Sequence, residues 1–295
     1  MGMASQAYKN SHAARSVFDE ADDVLGYRFS DLIMNGPPDL LTRTENAQPA
    51  IFCVSIALLR SAQEHFGVQS DFRNVNFMAG HSLGEYTALV AADALDFSSG
   101  LRLVKKRGEL MQVAADETPS SLLAILALEL DKVKRVCNET GAQISNVNNP
   151  GQVVIGGPLE VLEHAKKLAL EIGARRVMAL DVNGAFHTEV MRPAQAGMDD
   201  MLRGTSFRLP KVPLIGNTTA LPITTEEAIR EELGKQLCNC VWWQHSMAYI
   251  VNHDVQRFVE IGPGNVLSGI VKRINPDVET ISVGDLDSLA GIKMF

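Results

Sequence analysis

The chain has 295 residues, of which 46% are hydrophobic and 21% charged, a globular composition that excludes disorder and allows one large domain or two smaller ones. A formal net charge of −8 and a pI near 5.4 remove any general electrostatic reason to bind nucleic acid, so an acidic partner must meet a local basic patch.

In chain order, residues 11–25 place Ala14, Val17, Phe18, Ala21, Val24 and Leu25 at helical spacing, with Gly26 as the stop. Gly36-Pro37-Pro38 marks a loop, and residues 47–65 read as a long buried helix. Its most apolar stretch, 50–59, is interrupted by Ser55 and is too short to span a bilayer, so no membrane partner is expected. The polar N-terminus does not resemble a secretory leader. Residues 75–79 predict a short buried strand, 80–84 a tight turn, and 83–92 and 97–115 two helices, an order that suggests a parallel α/β sheet.

The middle of the chain predicts strand 121–128, helix 131–139, strands 143–148 and 152–156 around the turn Asn149-Pro150-Gly151, helix 159–172 and strand 176–182. That β-α-β-β-α-β order is the ferredoxin-like one and can form a compact insert. The α/β pattern then resumes with strand 212–216, helix 226–236, a helix ending at 247–252, and strand 257–261 leading into Gly262-Pro263-Gly264 and a further helix. The expected division is a large subdomain, 1–118 with 184–295, and a small one, 119–183. Cys53, Cys137, Cys238 and Cys240 fit neither a disulfide framework nor a zinc site and read as structural thiols, in keeping with a reducing cytoplasm.

Gly80-His81-Ser82-Leu83-Gly84 has the pattern G-x-S-x-G, a nucleophile elbow when it lies between a strand and a helix. Both glycines are expected to be needed, because a side chain at either flank would meet neighbouring backbone. The helix after the turn aims free N–H groups at an oxyanion formed on Ser82. A serine nucleophile needs a base, and His187 stands in a loop after a predicted strand, where α/β proteins place catalytic groups. His245 and His253 are rivals, whereas His12, His65 and His164 lie on exposed helix positions and His81 should point away from Ser82. Asp131 and Asp181 precede His187, but neither follows a strand of the large domain. A backbone carbonyl can orient the imidazole instead. Lys105 and Lys106 read as a solvated helix face, and Arg107 as either part of that face or a carboxylate clamp.

Gly80-His81-Ser82-Leu83-Gly84-Glu85-Tyr86 resembles the signature of the malonyl-CoA:acyl carrier protein transacylases and the related acyltransferase domains of polyketide synthases. Residues 44–50, 104–112, 148–154, Gly184-Ala185-Phe186-His187, Asn217-Thr218-Thr219-Ala220, Gln236-Leu237, Trp243 and 260–264 resemble further segments of that family in order, so the resemblance covers nearly the whole chain. It implies an α/β-hydrolase-like large domain carrying the ferredoxin-like insert. It implies Ser82 as the acyl-bearing nucleophile, His187 as general base and then acid, and Arg107 as the malonyl carboxylate site. Leu83 would give an oxyanion N–H, the Gln236 carbonyl would orient His187, and Asn148 and Gln48 would support the site. Phe186 is expected to crowd the α-carbon and disfavour methylmalonyl.

The resemblance implies ping-pong transfer from malonyl-CoA to the phosphopantetheine thiol of acyl carrier protein by a monomer with no cofactor and no metal, feeding fatty acid or polyketide synthesis. A serine thioesterase or esterase, or a weakly active truncated member, are the alternative readings. Cys240 and Asn265 depart from the family pattern away from the chemistry. The family begins with a strand and a Gly-Gln-Gly-Ser-Gln loop that this sequence lacks, and Met1-Gly2-Met3 resembles the few residues after that loop. The N-terminal strand of the large domain is therefore expected to be missing.

Overall fold

A computed structural model describes residues 2–67 and 74–289, so Met1 of the expected Met1-Gly2-Met3 start lies outside it. The chain forms two compact units, one made of 1–108, 206–214 and 254–295, the other of 109–205 and 215–253.

In the first unit the helix expected at 11–25 is His12–Leu25. The Ser11 side chain accepts the Ala14 N–H, Ala14, Val17, Phe18 and Ala21 are buried, and Gly26 closes the helix at φ 76°. The long buried helix is Thr44–Phe66 and contains Pro49. Proline has no N–H to give the Glu45 carbonyl one turn earlier. The Lys105 Nζ donates to that carbonyl at 3.3 Å and to Asn46 Oδ1 at 3.4 Å. Lys105 and Lys106 are therefore half-buried rather than a solvated face, and Lys105 makes good the bond that Pro49 cannot.

The strand expected at 75–79 is regular only over Met78–Ala79, where Met78 N–H donates to the Pro213 carbonyl at 2.8 Å. Near the C-terminus, Arg257–Ile261 and Glu279–Val283 pair in parallel, Arg257 with Glu279 through Ile261 with Val283. The second of these strands had no sequence expectation. The helix Val266–Ile274 connects them, and the Glu260 carboxylate caps it by accepting the Leu267 and Ser268 N–H groups at 3.0 and 2.7 Å.

In the second unit four antiparallel strands lie in the order Gln143–Asn149, Gln152–Pro158, Ser120–Leu126, Arg176–Ala179. Side chains alternate across a strand. Leu123, Ile125, Val153 and Ile155 face a core closed by Val133 and Val136 of the helix Leu130–Thr140 and by Leu162, Ala165 and Ala169 of the helix Leu159–Glu171. Leu122, Ala124 and Val154 face the other way and are covered by Leu180, Val182 and Phe186. Both faces of the Ser120–Leu126 strand are covered, which is why its residues 122–126 read as an unbroken apolar run. The helix Arg192–Arg203, with Ala194, Met198 and Leu202 buried, had no sequence expectation. No helix among the described residues is long and apolar enough to cross a membrane.

Candidate active site

In the first unit, Ser82 sits at φ 53°, a left-handed conformation that a non-glycine residue adopts only under constraint. The constraint is the turn into the helix Gly84–Ala91, closed by Gly84 N–H to the His81 carbonyl (2.9 Å) and Glu85 N–H to the Ser82 carbonyl (3.0 Å). A side chain on Gly80 would put its Cβ 1.9 Å from the Gly84 carbonyl oxygen, so only glycine lets the strand approach the helix so closely. Gly84 differs from the expectation: a Cβ there meets nothing within 4 Å. The elbow needs its first glycine for steric reasons and not its second. Leu83 N–H donates to no acceptor among the described residues, which leaves a donor available beside Ser82.

Arg107 stands on the helix Phe97–Glu117 and is 1% exposed. Its Nη2 donates to Ser82 Oγ at 3.1 Å and its Nη1 donates to the Gln48 side-chain oxygen. Its Cζ lies 5.7 Å from the centre of the Tyr86 ring. Gly108 permits this approach, since a Cβ there would come within 2.8 Å of the Thr44 carbonyl oxygen. Burial pulls the guanidinium below its ordinary value, opposed by the nearby Tyr86 and Glu85 side chains. Burial likewise pushes the Tyr86 hydroxyl up, so the ring stays neutral beside the cation. Of the two readings of Arg107, the solvated face is overturned.

In the second unit, His187 is the one buried histidine of the seven; His81 is half-buried and the others are exposed. The backbone at His187 is also left-handed, φ 62°. The segment before it is fixed by Gly184 N–H to the Ser120 carbonyl and Ala185 N–H to Ser120 Oγ, each 3.1 Å. His187 Nδ1 lies 2.7 Å from the Gln236 carbonyl oxygen. A carbonyl only accepts, so Nδ1 carries a proton, and in the neutral ring Nε2 is the nitrogen with the lone pair. Gln236 is the last residue of the helix Glu226–Gln236, so this carbonyl belongs to the negative end of the helix dipole.

The acidic candidates do not serve, since Asp131 and Asp181 are both exposed. Asn148 is 9% exposed at the end of its strand, and Phe186 is half-buried on the sheet face formed by Leu122, Ala124 and Val154. The structure thus joins Ser82, Arg107 and Gln48 by hydrogen bonds in one unit, and His187 and Gln236 in the other. Tyr86 and Ser120 were not singled out as site residues. Tyr86, an aromatic one turn after the nucleophile, was the available signal. Among the described residues, no three or more His, Cys, Asp and Glu side chains cluster as metal ligands.

The acyl transferase domain family matches residues 1–286. The chain belongs to that family. The malonyl CoA-acyl carrier protein transacylase of Bacillus subtilis is 40% identical over 294 residues, 98% of this chain and 91% of that one. Among solved structures, an acyl-carrier-protein S-malonyltransferase from Bartonella henselae superposes with a TM-score of 0.93 at 37% identity, covering 98% of this chain and 93% of that one. A malonyl-transacylase solved in complex with its type II polyketide synthase acyl-carrier protein gives 0.92 at 36% identity, covering 98% and 94%. As a member of this family the chain is an acyltransferase with a mixed α/β fold.

Proposed function

We propose that this acyltransferase moves malonyl from malonyl-CoA to the phosphopantetheine thiol of acyl carrier protein, for fatty acid or polyketide synthesis. The observation that carries the reading is the buried Arg107 guanidinium, 3.1 Å from the Ser82 hydroxyl. A buried, fork-shaped cation beside a nucleophile selects an acyl group that bears its own carboxylate.

In the proposed mechanism His187 takes the Ser82 proton as Oγ attacks the thioester carbonyl. The Leu83 N–H receives the oxyanion. The carbon–sulfur bond then breaks, and coenzyme A leaves as the thiol with the proton held by His187. Malonyl-Ser82 remains, with Arg107 on its carboxylate and Gln48 holding Arg107. The carrier thiol reverses the sequence, giving its proton to His187 as its sulfur attacks. The Gln236 carbonyl does the orienting work of the absent acid, Asn148 supports the site, and Phe186 disfavours an α-methyl group. The reaction needs no redox or metal cofactor, because every step is proton transfer or acyl exchange.

The proposal extends to architecture: residues 119–183 form a ferredoxin-like subdomain and 1–118 with 184–295 an α/β-hydrolase-like one. Its support is the strand order of the four-stranded sheet, its largely self-contained apolar core, and the parallel pair at the C-terminal end. The four free cysteines suit a cytoplasmic enzyme. A transfer assay with malonyl-CoA and phosphopantetheinylated carrier protein tests the reading. Malonyl-carrier formed faster than free malonate supports it, and release of malonate without transfer would make the chain a thioesterase.

A further inference from the structure

Glu232 lies one turn before Gln236 on the helix Glu226–Gln236 and is 3% exposed. Its Oε1 accepts the Thr218 N–H at 2.5 Å, and its Oε2 accepts the Thr218 hydroxyl at 2.8 Å and the Thr219 hydroxyl at 3.4 Å. All these donors are neutral, and among the described residues no cation forms an ion pair with this carboxylate. The carboxylate fills the space above Gly216, where a Cβ would stand 2.7 Å from Oε2. The same loop is tied on its other side by Trp242 N–H to the Asn217 carbonyl at 2.8 Å. A buried carboxylate without a counter-cation is costly, and stability alone favours an amide or apolar side chain in its place.

We propose that Glu232 is a positioning residue for the acyl transfer: it ties the 216–220 loop to the helix whose last carbonyl holds His187, and its buried charge favours the imidazolium that His187 becomes. This rests on the reading of His187 as the base. Residues four apart share one helix face and stand about 5–6 Å apart at Cβ. A charge held by neutral donors in a buried site is weakly screened, so its field reaches the end of the helix where the Gln236 carbonyl meets the imidazole. The serine enzymes that use a third acidic residue place it directly on the imidazole; here a helix terminus makes the contact and Glu232 supplies the charge.

Other charged groups lie on this helix and on the helix packed against it. Lys235 pairs with Glu231 at 3.2 Å on the solvent side, and Arg230 Nη2 donates to the Thr205 carbonyl at 3.1 Å. On the packed helix Arg192–Arg203, Asp199 faces Gly234, and Arg192 is engaged by Glu189 and lies near the Cys238 thiol and Asp199. None of them bonds to Glu232.

The test is the pH profile of kcat/KM for malonyl-CoA in the full chain, with melting temperatures alongside. Glu232→Gln keeps the shape and an acceptor for Thr218 N–H but removes the charge. It should melt as high as the parent or higher, while its acid limb moves to lower pH by about half a unit and its plateau falls about threefold. The shift has this sign because the base works when neutral, and losing a nearby negative charge lowers the pH at which it becomes so. Thr218→Ala keeps the charge and weakens the clamp, so it should melt lower with its limb unmoved. A Glu232→Gln profile that superposes on the parent, while His187→Ala is inactive, overturns the proposal alone. A shifted limb in Thr218→Ala overturns the assignment to charge whether or not Glu232→Gln folds. Full activity in His187→Ala overturns the base assignment and this proposal with it.

Discussion

Replacing Gly80 by alanine sets a side chain against backbone that cannot turn aside. The new Cβ would stand 1.9 Å from the Gly84 carbonyl oxygen, 2.0 Å from its carbon and 2.5 Å from the Glu85 nitrogen. Relief requires the first turn of the helix Gly84–Ala91 to withdraw by more than an ångström, and that turn carries Leu83 N–H and fixes Ser82. Overpacking of side chains costs about 1–3 kcal/mol; a clash of this depth with backbone belongs at or above the top of that range. At roughly 2 °C per kcal/mol for a chain of this size, the melting temperature should fall by about 6 °C or more. Gly84→Ala is the control, since its Cβ meets nothing and alanine favours a helix by about 0.5–1 kcal/mol. Thermal melts and the rate of malonyl-enzyme formation, measured on both variants, check this. A Gly80→Ala protein that melts as high as Gly84→Ala and acylates at the parent rate would refute the account of the elbow.

Three further outcomes are expected. Arg107→Ala should lose malonyl acylation by about ten- to a hundredfold, the worth of a charged hydrogen bond of roughly 1.5–3 kcal/mol, and should lose acetyl acylation far less; equal losses in a parallel burst assay would make the arginine structural. Burial pushes the Cys238 thiol up to about 11 and those of Cys137 and Cys240 up to about 12, and raises Cys53 as well. The folded state therefore holds these thiols neutral, so stability should decline as pH rises past the unfolded thiol value of about 8.5, and a thiol reagent at pH 8 should label the native chain far more slowly than the unfolded one. Charge reversal at the exposed pairs Arg175–Arg176 or Lys272–Arg273 should raise KM for carrier protein and leave KM for malonyl-CoA unchanged, with steady-state kinetics as the check.

Periodicity located the elements whose neighbours are local. The helices His12–Leu25 and Glu226–Gln236 and the hairpin strands around Asn149-Pro150-Gly151 fall within two residues of where spacing and turn residues put them. Elements that depend on distant partners were less legible. Glu279–Val283 is a strand because Arg257–Ile261 lies beside it, and the helix Arg192–Arg203 carries only three buried residues. The G-x-S-x-G pattern pointed to Ser82, but pattern alone gave Gly80 and Gly84 equal weight where sterics separate them. Lys105 read as a surface charge because its partner, the carbonyl left open by Pro49, lies 60 positions earlier in the chain. Glu232 was invisible for the same reason, since its meaning lies in Thr218 and Thr219 and in having no cation paired with it among the described residues.

The central claim is that Ser82 carries the acyl group, and intact-mass measurement after mixing with malonyl-CoA tests it most directly. The parent chain should gain a single malonyl adduct that disappears when carrier protein is added, and Ser82→Ala should gain none. A malonyl adduct on Ser82→Ala would place the nucleophile elsewhere and contradict the account.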